Sequence, residues 1–90
     1  MADAPPTDAR AIALLALATA ISDERRARRF LDLTGIGTDE LRARAGDPEL
    51  LAALIRFLEA HEPDLLAVAE AMEVKPEVLV GARIELEGME

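Results

Sequence analysis

Between Arg10 and Asp23 the chain carries no charged side chain; the stretch opens with "AIALLALATA", Ala11 to Ala20. Ala and Leu dominate it, and both favour a helix. A helix that is apolar nearly all round has no face of its own to give to water. It should therefore lie centrally, contacted on several sides. The run is too short to span a bilayer, which takes about 20 apolar residues. Its Ala-Thr-Ala end imitates a cleaved signal, yet the preceding "MADAPPTDAR" sets Asp3 and Asp8 against Arg10 and lacks the basic flank of such a signal. The residues favour a buried first helix in a cytoplasmic protein.

The rest of the chain divides into short helical segments. Residues 1–6, "MADAPP", read as a disordered lead, after which Thr7 is expected to cap the first helix with Asp8 in its first turn. Ser22 is the expected cap of a second helix, "DERRARRFLDLT", whose inner face is Ala27, Phe30, Leu31 and Thr34 at i, i+3, i+4, i+7. Gly35 stops it with a left-handed residue, and Ile36 folds back onto the last turn. Thr38 is expected to cap a third helix, "DELRARA", ended by Gly46.

Three later starts, "DPELLA", "EPDLLA" and "KPEVLV", share a Pro at the first helical position followed by an acid. Pro48, Pro63 and Pro76 are unequally spaced and closer than any solenoid period, so they mark shared start chemistry and no repeat. Leu50, Leu51, Leu54, Ile55, Phe57 and Leu58 form the main wall of the core, with Leu65, Leu66, Val68, Ala69 and Met72 from the next helix and Leu79, Ala82 and Leu86 from the last. No strict alternation persists, and a chain with two aromatics and abundant Ala and Leu favours helix over strand. The expected fold is all-α: one domain over residues 7–87, a compact irregular bundle of five or six short helices, with a short tail at 88–90. "VAEAMEVKPEVLVGAR", Val68 to Arg83, should form a helix-turn-helix-like corner.

The stretch "RRFLDLTGIGTDELRARAGDPELLAALIRFLEAHEPDLLAVAEAMEVKPEVL" resembles a family of small uncharacterised bacterial helical proteins, catalogued only as a domain of unknown function. The likeness runs from Phe30 to Leu79, chiefly through "LTGI", "LRARAGDPELL" and the "FL…EPDLL" run. It implies a helical fold and a cytoplasmic bacterial setting. It brings no activity and no catalytic residues.

Charge and composition narrow the chemistry. A net charge of -8 is repelled by phosphate backbones and by anionic membranes, so nucleic acid and membrane are unfavoured partners and protein is favoured. There is no cysteine, and His61 stands alone in "EAHEPD", read as a helix C-terminus, so no metal site is expected. "TGIGTDE" lacks the Lys and Ser/Thr of a phosphate loop, and Ser22, the only serine, reads as a cap. Neither catalysis nor a cofactor is expected.

Two surface features remain. In the helix-turn-helix register the outward positions are Glu77, Val78, Val80, Gly81 and Ile84, none able to make a bidentate base contact. Glu73 stands where Gly is usual in such a turn. Val80, Gly81 and Ile84 instead suggest a protein docking surface, Gly81 permitting a close approach. The one basic cluster, Arg25, Arg26, Arg28 and Arg29, is expected to be a solvated face with Glu24–Arg28 and Arg28–Asp32 ion pairs. The expected function is a non-catalytic protein–protein interaction module, docking through an apolar helix face and self-associating through the last helix or the Ala-rich first one. The alternative is a nucleic-acid-associated regulator using Arg25 to Arg29 and the helix-turn-helix-like unit.

Overall fold

A computed structural model describes residues 8–88. Six helices follow one another: α1 (Ala9–Ile21), α2 (Glu24–Thr34), α3 (Thr38–Ala43), α4 (Pro48–Glu59), α5 (Glu62–Met72) and α6 (Pro76–Glu87). No strand occurs among the described residues, so the fold is an all-α bundle. The expected lead at 1–6 and the tail beyond Gly88 lie outside the described residues; the expected cap at Thr7 is corrected to Asp8, which is extended and precedes the first turn of α1 instead of lying in it.

Each start and stop has a local cause. Asp8 caps α1, accepting the Arg10 backbone N–H at 3.0 Å. The cap of α2 is Asp23, which accepts the Arg26 N–H at 3.0 Å. Ser22, expected there, instead closes α1, its hydroxyl donating to the Thr19 carbonyl at 2.6 Å. The reason is backbone geometry: Ser22 is still in the helical region, whereas Asp23 is extended, as a cap must be. Gly35 ends α2 at φ 76, its N–H donating to Leu31. Thr38 likewise lies inside α3, and Gly37 holds the extended position before it without a side-chain cap.

The proline starts hold with one variation. Asp47 caps α4 through the Glu49 N–H, and Pro48 and Pro76 open α4 and α6. In α5 Glu62 comes first and Pro63 second; His61 follows the C-terminus of α4, its N–H donating to the Leu58 carbonyl at 3.1 Å, and also stands at the N-terminus of α5. Glu73 ends α5 in the left-handed region at φ 60. Two carbonyls of the last turn, Ala69 and Glu70, take its N–H. A side chain in that conformation costs about 1–2 kcal/mol that Gly would not.

The densest packing joins α1, α4 and α6; α5 covers α1 and α4, and α2 rests on α1. The core draws Ala9, Ala13, Ala16, Leu17 and Ala20 from α1, six residues from Leu50 to Leu58 of α4, Val68 and Ala69 of α5, and Leu79, Ala82 and Leu86 of α6. Phe30 is the buried residue of α2, and Leu41 that of α3. Leu66, expected inside, is exposed. Asp64, Leu65, Val68, Ala69 and Met72 share the inward side of α5 at helical spacing, and Leu66 falls outside it.

The sequence places α1 centrally with contacts on several sides, and α2, α4, α5 and α6 do touch it. They cover one side only. Its alanines face the core, where small side chains let neighbouring helices approach closely, while Leu14 and Leu15 point outward, 43% and 47% exposed. Ile21 is 38% exposed. The opposite side of α1 is left open.

One ion-pair group ties α4 to α6, and another ties α3 to α4. Arg83 of α6 reaches Glu59 of α4 and Glu87 of its own helix, and Arg56 of α4 also pairs with Glu87. Arg44 joins Glu40 to Asp47 across the α3–α4 turn. The Arg44 side chain, then the Glu49 N–H, hold the Asp47 carboxyl below its ordinary value. The Arg26 N–H does the same for Asp23. Burial opposes ionisation of Glu87, but Arg56 and Arg83 outweigh it and lower its pKa.

A carboxylate with a lowered folded-state pKa adds stability above its unfolded value, and that stability is lost as the pH falls through the folded value. The melting temperature followed by circular dichroism should therefore be level near neutrality and fall below pH 4.5, the ordinary value for Glu. A rise on acidification would contradict this. Glu73→Gly should stabilise the protein by about 1 kcal/mol in urea unfolding, by relieving the left-handed side chain. A lower midpoint would refute the strain.

Candidate functional site

Arg26 and Arg29 lie three residues apart on α2 and therefore share a face. Both reach Asp64, the third residue of α5: Arg26 Nε donates to Oδ1 at 3.0 Å, and Arg29 Nη2 pairs with Oδ2. Asp64 is 6% exposed, the one buried charged residue among those described. The Arg29 guanidinium also lies over the Phe57 ring, 5.4 Å from its centroid, and that ring meets Phe30 edge-on at 5.3 Å. Phe57 is thereby half-buried under a cation instead of fully inside the core.

This corrects the expected solvated basic face. Among the described residues no ion pair joins Glu24 to Arg28 or Arg28 to Asp32. An exposed i, i+4 pair contributes only a few tenths of a kcal/mol. Burying Phe30 fixes the rotation of α2, and this turns Arg26 and Arg29 toward the bundle. Arg25 and Arg28 stay exposed, and the Arg29 side chain is still 48% exposed. Of the four guanidiniums Arg26 is the one drawn largely out of water, 15% exposed at its side chain. Asp64 was not singled out as a site residue, although an acid on the apolar side of α5, four residues before Val68, was the signal that could have found it.

The α6 surface is as its periodicity indicates. Leu79, Ala82 and Leu86 are buried. Glu77, Val78 and Gly81 face solvent, Ile84 is 59% exposed, and Val80 is half-buried. A Cβ built on Gly81 would have no heavy atom within 4 Å, so nothing in this chain requires Gly there. The surface around Val80, Gly81 and Ile84 is apolar at Ile84 and carries no base-reading side chain.

A groove of about 330 Å³ lies between α1 and α3. Leu14, Leu17, Ala18 and Ile21 form one wall; Thr38, Leu41, Arg42 and Ala45 form the other. Thr38 and Arg42 are its polar residues, and Arg42 is paired loosely with Asp39 at 3.6 Å. Leu15 extends the apolar surface beyond the groove on the outer side of α1. The Ala-rich first helix, weighed from the sequence as a self-association surface, is where exposed aliphatic side chains and a concavity coincide.

Elsewhere His61 is exposed at the start of α5, with no side-chain capping bond. No group of three or more His, Cys, Asp or Glu residues is placed to hold a metal among the described residues. Nor is any described helix long and apolar enough to cross a membrane.

A family model described as "Protein of unknown function (DUF3572)" matches residues 6–89. The chain belongs to that family, whose description carries no activity. No curated protein and no solved structure matches the chain.

Removing the shared carboxylate leaves Arg26, 15% exposed at its side chain, without a partner. Asp64→Ala should destabilise the protein by about 2–3 kcal/mol in urea unfolding, since breaking a largely buried pair strands a charge. The half-exposed Arg29 should cost only about 1 kcal/mol on replacement by Ala. An unchanged midpoint for Asp64→Ala would show that the pair carries no weight. Gly81→Ala should raise stability by about 1 kcal/mol, the ordinary helical preference; a fall would mean that a neighbour occupies the space.

Proposed function

We propose that this member of the DUF3572 family is a non-catalytic protein-interaction module of a bacterial cytoplasm, docking through the outer face of α1 and the adjoining α1–α3 groove. The observation that carries the reading is the exposure of Leu14, Leu15 and Ile21 on one helix that is uncharged after Arg10, beside an apolar groove. Aliphatic surface left in water forfeits about 25 cal/mol per Å² that a partner would recover. Exposed single leucines are ordinary, and Leu33 on α2 is one; several on one helix beside a concavity form a patch. The net charge of -8 keeps such a molecule soluble.

The chemistry of the groove favours docking over catalysis. Its polar side chains are a hydroxyl and a guanidinium, Thr38 and Arg42, and neither serves as a general base near neutral pH. Nucleic-acid binding loses support for a separate reason. Two of the four arginines that would contact phosphate, Arg26 and Arg29, are engaged by Asp64.

Photo-crosslinking in living cells tests the location. Benzoylphenylalanine placed at Leu14 or Ile21 should give discrete protein adducts, while the same residue at Leu33 should give none. Adducts from Ile84 alone would move the docking surface to α6, and the absence of adducts from every position would overturn the reading.

A further inference from the structure

The outer face of α1 has a polarity that selects its occupant. Ala11, Leu14, Leu15, Ala18 and Ser22 recur at i, i+3, i+4, i+7 and i+11, so they line one strip opposite the buried alanines. The strip holds no charge. Its ends are marked by Arg10 and by Asp23, opposite in sign and both exposed. Among the described residues Arg10 makes no ion pair, and one oxygen of the Asp23 carboxylate is not used by its cap bond to Arg26.

We propose that a second copy of this chain closes this face, the two α1 helices lying antiparallel about a twofold axis. The proposal rests on the reading of α1 as the docking surface and names the partner. An antiparallel register centred between Ala16 and Leu17 sets Arg10 across from Asp23 of the second copy, and symmetry repeats the pair. The same register sets Leu15 against Ala18 of the second copy, a large side chain over a small one, also twice. Ala11 falls opposite Ser22, so small residues at both ends let the helices approach. Antiparallel helices also bring each positive dipole end to a negative one.

Charge makes the choice of face sharper. Two molecules each at -8 repel, and most surfaces would bring carboxylates together. The α1 strip avoids this, since its one acid meets an arginine. A helix of 13 residues is about 20 Å long. Such an interface falls short of the roughly 800 Å² per partner of stable complexes, and the dimer is weak and concentration-dependent.

Sedimentation equilibrium of the full chain, from about 10 µM to about 1 mM, reads the association directly. The weight-average mass should rise from 9.7 kDa toward twice that value. Leu15→Arg, at an exposed position, should weaken the dimer by about tenfold or more without loss of helicity. Arg10→Glu and Asp23→Arg should each weaken it several-fold, and the double variant should recover association to within about threefold of the original. Asp23 also caps α2, so its loss lowers stability in single and double variants alike; recovery in the double variant therefore reports the intermolecular pair. A chain that stays monomeric at the highest concentration overturns the proposal, as does a double variant no better than the singles. If a monomeric chain still gives crosslinks from Leu14 to a different protein, the second copy is excluded and the docking face stands. If it gives none, both readings fall.

Discussion

A helix of Ala and Leu with no charge after Arg10 cannot solvate any of its faces well, and the rest of this fold is organised around that constraint. The alanines of α1 at positions 9, 13, 16 and 20, with Leu17, form the side against which α4 and α6 pack most closely. Small side chains there permit near approach, and the bulk of the core is supplied from the other side by Leu51, Leu54, Ile55, Leu58, Leu79 and Leu86. The larger residues of α1 are consequently displaced outward. The exposed strip is thus a consequence of how the core is packed, and it is available for recognition.

Polar contacts fix what the apolar core leaves loose. Helix α2 contributes one buried residue, Phe30, which alone would hold it weakly. The pairing of Arg26 and Arg29 with Asp64, and the placement of Arg29 over Phe57, link α2 to α4 and α5. At the far end Arg56, Arg83, Glu59 and Glu87 link α4 to α6. Charges that composition suggests as a phosphate-binding surface are in this way partly spent on cohesion. Helix α3 buries Leu41 and is joined to α4 by Arg44, which pairs with Glu40, Asp47 and Glu49.

Much of this was legible in the residues. Periodicity gives the helices, and Pro48, Pro63, Pro76, Gly35 and Gly46 mark most of their limits, because these residues act locally. The caps expected at Thr7, Ser22 and Thr38 each fall one position away, at Asp8, Asp23 and Gly37, since neighbouring residues offer suitable oxygens or turns and only the backbone conformation decides between them. The inward face of α6 and the left-handed Glu73 likewise follow from local spacing. The Asp64 pair and the α1–α3 groove do not. Asp64 lies 38 residues from Arg26, and the groove depends on which side of a largely apolar helix the bundle covers. In α1 only Arg10 and Thr19 are polar, too few to mark which apolar side faces outward.

The central claim is that the fold leaves the Leu14, Leu15 and Ile21 side of α1 open and that the molecule docks through it. Methyl NMR with a soluble paramagnetic agent, recorded at low and at high protein concentration, tests both halves together. The account predicts strong broadening of these α1 methyls in dilute solution and protection of them at high concentration, with Leu33 broadened throughout. Shielding of the α1 methyls at every dilution, or protection that appears at Ile84 instead, would contradict it.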